Sequence, residues 1–146
     1  MESLRIGLIG LVGRGGLGYY VHRPEEGSEV VAGADADETA LSFFRDTYSA
    51  TTFTSRRYQD LLAQDLDAVI ISSPASQREE QAIAALAAGK AVFLDKPMAL
   101  NVEACDRILD AARASGQKLY VGNALRHTAT IRKLIELADA GAVGEV

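Results

Sequence analysis

Short continuous apolar runs alternate along the chain with longer stretches in which apolar residues recur every three or four positions. The first run, residues 4–9, stops at Gly10. It is too short for a helix and lacks the alternation of a half-exposed strand, so it predicts a strand buried on both faces. The same signature returns at 29–34, 68–72, 91–94 and 119–122, with a weaker strand at 51–54. Between these runs the spacing is helical. Residues 38–48 carry Ala40, Leu41, Phe44 and Tyr48 on one face, and 76–88 carry Ile83, Leu86 and Ala87. Asn101 is a suitable N-cap for a helix reaching Ser115, with Ile108, Leu109 and Ala112 inward. Short helices are predicted at 17–23, ended by Pro24 and Gly27, and at 56–63. A last amphipathic helix, 128–140, places Ile131, Leu134, Ile135 and Ala138 together before Gly141.

Strands that alternate with helices pair in parallel, and parallel neighbours need right-handed crossovers. The pattern therefore predicts an α/β chain with a doubly wound parallel sheet, the three-layer α/β/α Rossmann fold. Composition agrees with one ordinary domain: 146 residues, 48% hydrophobic, 24% charged and a net charge of -5. The basic residues are scattered among a larger number of acids, which argues against nucleic acid as a partner. Cys105 has no second cysteine to pair with, and with two histidines it makes no metal set, so a reducing cytoplasm is expected. The opening Met1-Glu2-Ser3-Leu4-Arg5 has an acid where a signal peptide is basic, and glycines break the run behind it. Export and membrane spanning are not expected.

The candidate chemistry lies after the first two strands. A dinucleotide pyrophosphate needs backbone N–H donors with no side chain in the way, and glycines at 10, 13, 15, 16 and 18 sit between the first strand and first helix. Asp35 ends the second strand, 25 residues after Gly10 and 20 after Gly15, where a carboxylate accepts from ribose hydroxyls. Ala36 and Asp37 bring no arginine for a 2′-phosphate, and two carboxylates repel one, so NAD is expected over NADP. Three registers are open. Gly13 to Gly18 matches G-x-G-x-x-G literally; counting from Gly10 puts Val12 at the second position; a one-residue insertion uses Gly10, Gly13 and Gly16. A valine at the close-approach position predicts weakened or displaced cofactor binding.

With Ser72-Ser73-Pro74, Ala85-Leu86-Ala87-Ala88-Gly89-Lys90 and Asp95-Lys96-Pro97 added, the chain resembles the glucose-fructose oxidoreductase, inositol dehydrogenase and rhizopine-catabolism (Gfo/Idh/MocA) family over nearly its whole length. The resemblance is to the N-terminal NAD(P)-binding domain, here 1–122, with 123–146 similar to the connecting helix and the start of a second domain that carries the substrate pocket. It implies that Gly10, Val12, Gly13, Arg14 and Gly15 lie along the pyrophosphate, Asp35 at the adenosine ribose, and Ser72, Ser73 and Pro74 at the nucleotide. It implies that Asp95, Lys96 and Asn123 stand near the nicotinamide, with Lys96 as the catalytic residue on the substrate hydroxyl and no metal. A lysine there is chemically apt, because oxidising a carbinol also requires loss of the hydroxyl proton.

The resemblance thus implies an oxidoreductase acting on a sugar, polyol or related small hydroxylated substrate. The chain alone is expected to hold an incomplete active site. The alternative is a non-catalytic dinucleotide-binding or interaction module, with a homodimer or other association covering the surface left by the second domain. Three departures from the family pattern stand out: Asp95 replaces a glutamate, Arg78 stands where histidine is frequent, and in one register Val12 replaces a glycine. His127 is read as an exposed or interface residue, Cys105 as a small buried hydrophobe, and the Arg56-Arg57 and Glu79-Glu80 pairs as solvated helix faces.

Overall fold

The computed structural model describes residues 3–49 and 52–144, apart from the side chain of Arg14. Among the described residues six strands form one parallel sheet: β1 (Leu4–Ile9), β2 (Ser28–Ala34), β3 (Phe53–Ser55), β4 (Ala68–Ile71), β5 (Ala91–Asp95) and β6 (Leu119–Gly122). Their spatial order is β3-β2-β1-β4-β5-β6. The chain therefore winds outward one way from β1, returns, and winds outward the other way from β4. A crevice opens at that reversal, at the carboxyl ends of β1 and β4, where Ile9 pairs with Ile71.

The helices are α1 (Gly18–Val21), α2 (Glu38–Thr47), α3 (Tyr58–Leu62), α4 (Ala75–Ala87), α5 (Val102–Ser115) and α6 (Ala129–Asp139). Their ends carry local signals: Asp37 accepts from the Thr39 N–H at 2.9 Å to cap α2, and Asn101 accepts from the Ala104 N–H at 2.8 Å to cap α5. Gly116, at φ 68°, turns the chain out of α5. Strand residues alternate between two cores. Ile9, Val69, Ile71 and Leu94 pack with Leu61, Ala82, Leu86 and Ile108 on one face, while Ile6, Leu8, Val30 and Ile70 pack with Phe44 on the other. Each fully buried Leu or Ile contributes about 1.5–3 kcal/mol by leaving water.

Several elements differ from the sequence pattern. The predicted 17–23 helix forms only as the four-residue α1, preceded by a 3₁₀ turn over Gly13–Leu17. Four glycines in six positions have too little helix propensity for a long helix, and Pro24 blocks extension. The weak third strand begins at Phe53; Thr51 lies outside the described residues. Leu109 and Ala87, expected inward, are exposed, and the faces they were to fill are built by Ile108 and by Ala82, Ala85 and Leu86. The last helix forms as α6 but buries no residue: Leu134 is 55% and Ile135 54% exposed. No helix among the described residues is long and apolar enough to cross a membrane.

Candidate functional site

A cleft of about 660 Å³ lies at the sheet's reversal point. Gly10, Val12, Asp35, Ser72, Ser73, Pro74, Asp95 and Lys96 all line it, so these sequence-predicted residues meet in one place. Gly13 and Gly15 do not line it; they sit in the 3₁₀ turn beside it. Asn123 also falls outside. It follows Gly122, which pairs with Asp95, and its side chain accepts from the Leu125 N–H at 3.2 Å to cap the 3₁₀ turn Ala124–His127. The Arg14 side chain lies outside the described atoms.

Geometry separates the glycines. Gly10 has φ 83°, and a Cβ there would stand 2.6 Å from the Ser73 backbone nitrogen, so a side chain is excluded twice over. A Cβ at Gly15 would stand 2.6 Å from the Gly10 carbonyl oxygen. Gly10 and Gly15 thus have the five-residue spacing of the first and third fingerprint glycines, which leaves Val12 at the second position. Val12 is 64% exposed, with its backbone extended at φ -88°. Gly13 and Gly16 have nothing within 4 Å. Gly18 serves packing, since a Cβ there would run into Leu8 and the Tyr48 hydroxyl.

Asp35 ties the loop to β2. Its Oδ2 accepts from the Leu11 N–H at 2.8 Å and its Oδ1 from the Asp37 N–H at 3.0 Å. Each carboxylate oxygen has two acceptor sites, so capacity remains toward the cleft for hydroxyl donors. Beside it are Arg56 and Arg57, which the sequence pattern assigned to a solvated helix face. Both line the cleft, and Arg56 Nε donates to the Ala36 carbonyl at 3.1 Å. The missed signal was topological: β3 pairs with β2, bringing the turn after β3 alongside Asp35.

The opposite wall is built on Arg78, at the first turns of α4. Its Nε donates to the Ser73 carbonyl at 2.8 Å, and its Nη1 donates to the carbonyls of Asp95 and Pro97, each at 2.7 Å. Nη2 reaches Asp95 Oδ2 at 3.3 Å. Arg78 and Asp95 are 6% and 4% exposed. A charged pair so deep is tolerated because hydrogen bonds satisfy it as well as opposite charge. Ser73 Oγ donates to Gln81 Oε1, and Gln81 Nε2 donates to Gln77 Oε1 at 3.2 Å, continuing the polar wall along α4. The Lys96–Pro97 bond is cis, and Lys96 is exposed at the cleft edge.

Tyr58, at the start of α3, donates to Glu80 Oε1 on α4, and desolvation together with that acceptor pushes its hydroxyl up to about 12. Glu79 is held below its usual range by the Arg107 guanidinium. His127 hydrogen-bonds Tyr120 at 2.6 Å, away from the cleft, and Cys105 is half-buried on α5. The Asp35 carboxylate, an acceptor on the cleft wall, has the chemistry to receive ribose hydroxyls. Val12 lines the cleft at the position where a fingerprint glycine leaves backbone bare.

Inositol 2-dehydrogenase 3 of Saccharopolyspora erythraea is 37% identical over 142 residues, 93% of this chain and 41% of that protein. An inositol 2-dehydrogenase/D-chiro-inositol 3-dehydrogenase of Shouchella clausii is 33% identical, over 94% of this chain and 41% of the relative. The crystal structure of scyllo-inositol dehydrogenase from Lactobacillus casei with NAD(H) and scyllo-inositol superposes with a TM-score of 0.86. It is 25% identical and matches 98% of this chain and 43% of its own. The WlbA dehydrogenase of Bordetella pertussis, in complex with NADH and UDP-GlcNAcA, gives 0.86 at 27% identity, over 96% of this chain and 43% of its own. The chain thus spans about two fifths of the length of these relatives. Residues 4–123 match the model described as an oxidoreductase family with an NAD-binding Rossmann fold, and the chain belongs to that family, Gfo/Idh/MocA.

Proposed function

We propose that the cleft binds NAD and that the chain supplies the cofactor side of hydride transfer between nicotinamide and a carbinol of a sugar, polyol or related hydroxy compound. The observation that carries this reading is Asp35: a carboxylate on the cleft wall at the end of β2, joined by hydrogen bond to the backbone next to Gly10. A carboxylate there accepts from vicinal ribose hydroxyls and repels a 2′-phosphate, which supports NAD; Arg56 and Arg57 on the same wall, which the local sequence did not place there, are the groups that would receive a 2′-phosphate, so the NADPH titration decides between them. The Gly10, Gly13, Arg14 and Gly15 backbone, with Val12 crowding it, is the proposed pyrophosphate segment. Ser72, Ser73 and Pro74 are the proposed wall beyond it, and Asp95, Lys96 and Asn123 the proposed nicotinamide end.

Bound at these residues, NAD would supply the hydride acceptor for the reaction. Lys96 would handle the proton: its Nζ would hydrogen-bond the hydroxyl and, exposed at the cleft edge, release a proton to water as it takes the one the hydroxyl gives up. The relatives' substrates, inositols and a nucleotide-linked sugar acid, support a polyhydroxylated compound as the substrate class. Because the chain spans about two fifths of those relatives, the reading assigns it cofactor binding and the lysine, with 1–122 as the nucleotide-binding unit and 123–146 as a connecting helix.

A second reading, a non-catalytic dinucleotide-binding or interaction module, is favoured by the exposed Leu134 and Ile135 on α6. Sedimentation of the purified chain tests it, since self-association through that helix would be weakened by Leu134→Glu. Calorimetric titration with NADH and NADPH tests the first. Saturable NADH binding, at least about tenfold weaker for NADPH and weakened about tenfold or more by Asp35→Ala, is expected. Absence of binding up to millimolar concentrations would sink it.

A further inference from the structure

We infer that Arg78 is the positioning residue of the lysine side of the cleft: its guanidinium grips the backbone on both sides of Lys96 and so fixes where the lysine amine stands. The effect on cofactor binding rests on the reading above, whereas the grip itself rests on geometry alone. One nitrogen, Nη1, donates to the carbonyl before Lys96 and to the carbonyl after it, those of Asp95 and Pro97, each at 2.7 Å. The same guanidinium reaches across the crevice floor through Nε to the Ser73 carbonyl at the end of β4. Thus the backbone on either side of an exposed side chain is pinned to one buried group, which is anchored in turn to the neighbouring strand.

Charge balance alone does not call for this arrangement. An ion pair with Asp95 needs one contact, and that contact is the longest of the set at 3.3 Å. Three of the four hydrogen bonds go to neutral carbonyls. Two separate nitrogens serve them, Nε for Ser73 and Nη1 for Asp95 and Pro97, which a guanidinium supplies and an ammonium does not. Lysine at position 78 would carry a methylene where Nε stands and end one bond short of the Nη atoms; it would keep the charge, lose the Nε bond to Ser73, and release the two carbonyls that flank Lys96. The two accounts therefore rank two variants oppositely. If Arg78 only neutralises Asp95, Arg78→Lys is mild and Asp95→Asn is severe, because it leaves a buried cation unpaired. If Arg78 positions Lys96, Arg78→Lys is the severe one at Lys96, and Asp95→Asn, which keeps every carbonyl, is the milder.

The experiment is ¹⁵N relaxation on the full chain and both variants, with NADH and ADP-ribose titrations as a second arm. The Lys96 amide is expected to be as ordered as β5 in the parent, with an order parameter of about 0.85, and to fall below about 0.6 in Arg78→Lys while amides of β1 and β2 are unchanged. Arg78→Lys should weaken NADH about tenfold and leave ADP-ribose, which has no nicotinamide end, within about twofold. A Lys96 amide equally ordered in parent and Arg78→Lys, or loosened more by Asp95→Asn, overturns the inference. So does an equal loss of NADH and ADP-ribose, which marks a general structural role. A parent that binds neither nucleotide removes the cofactor reading instead, and the relaxation comparison still decides the role of Arg78.

Discussion

The two walls of the cleft stand at the ends of neighbouring strands yet are held by opposite means. On one side the loop after β1 is tethered by a partly exposed carboxylate, Asp35, through backbone N–H groups, and its residues run as a glycine-rich 3₁₀ turn. On the other side a buried guanidinium holds carbonyls of two strand ends. A wall that must offer N–H donors to an anion cannot have them all consumed internally, so it remains open and lightly tied. A wall that must hold one side chain in place has its backbone carbonyls fixed from behind. On the proposed reading, the difference teaches that recognition and positioning are divided between the two halves of one sheet.

Gly10 joins the walls, and the largest effect is expected there. Gly10→Ala combines a left-handed φ of 83° with a Cβ 2.6 Å from the Ser73 backbone, and neither neighbour is a flexible side-chain tip. A loss of about 3 kcal/mol or more in urea unfolding is expected. Gly13→Ala is the internal control: φ is 65° but nothing lies within 4 Å, so a cost of about 1–2 kcal/mol follows from conformation alone. Equal losses would mean that the Gly10–Ser73 approach does not couple the walls.

How far each wall was legible in the sequence follows the same division. The Asp35 side is encoded locally, by glycines after one strand and an acid after the next, and the periodicity recovers nearly every strand because buried parallel strands read as unbroken apolar runs. The sheet order could follow from crossover handedness, but the position of Arg56 beside Ala36 depends on which strands become neighbours, a fact absent from any local window. Arg78 was visible as an unusual residue and not as a clamp, since its partners lie 5, 17 and 19 residues away. Helix 17–23 is cut to Gly18–Val21 for a local reason, glycines weak in propensity, while α6 was correct in periodicity although that pattern cannot say whether a face is covered.

Val12 sharpens the comparison on the open side. It is extended, 64% exposed and lines the cleft at the position that a fingerprint leaves bare. Val12→Gly removes an isopropyl group that supports no core, at a cost in loop entropy of about 0.5–1 kcal/mol. NADH affinity measured by fluorescence titration should rise about three- to tenfold, with stability slightly lowered. Unchanged or weaker binding would show that the valine does not crowd the phosphates.

The smallest effect concerns the link between the walls. Tyr58 lies beside Asp35 on the cleft, and its hydroxyl donates to Glu80 on α4, the helix that carries Arg78. Its hydroxyl is pushed up to about 12 by desolvation first and by Glu80 second. A phenol that ionises at about 10 when unfolded and about 12 when folded stabilises the native state fully below pH 10. As pH rises from 10 toward 12 the unfolded chain releases the proton first, so stability must fall across that window. Tyr58→Phe removes this part of the alkaline loss at a modest cost near neutrality, where one partly exposed hydrogen bond contributes about 0.5–1.5 kcal/mol. Tyr48, also raised to about 12 by desolvation and by Tyr19, titrates in the same window and should leave a residual slope in the variant. Thermal unfolding from pH 8 to 12 distinguishes the cases: a slope unchanged by Tyr58→Phe would mean that the Tyr58–Glu80 bond does not tie the two walls together.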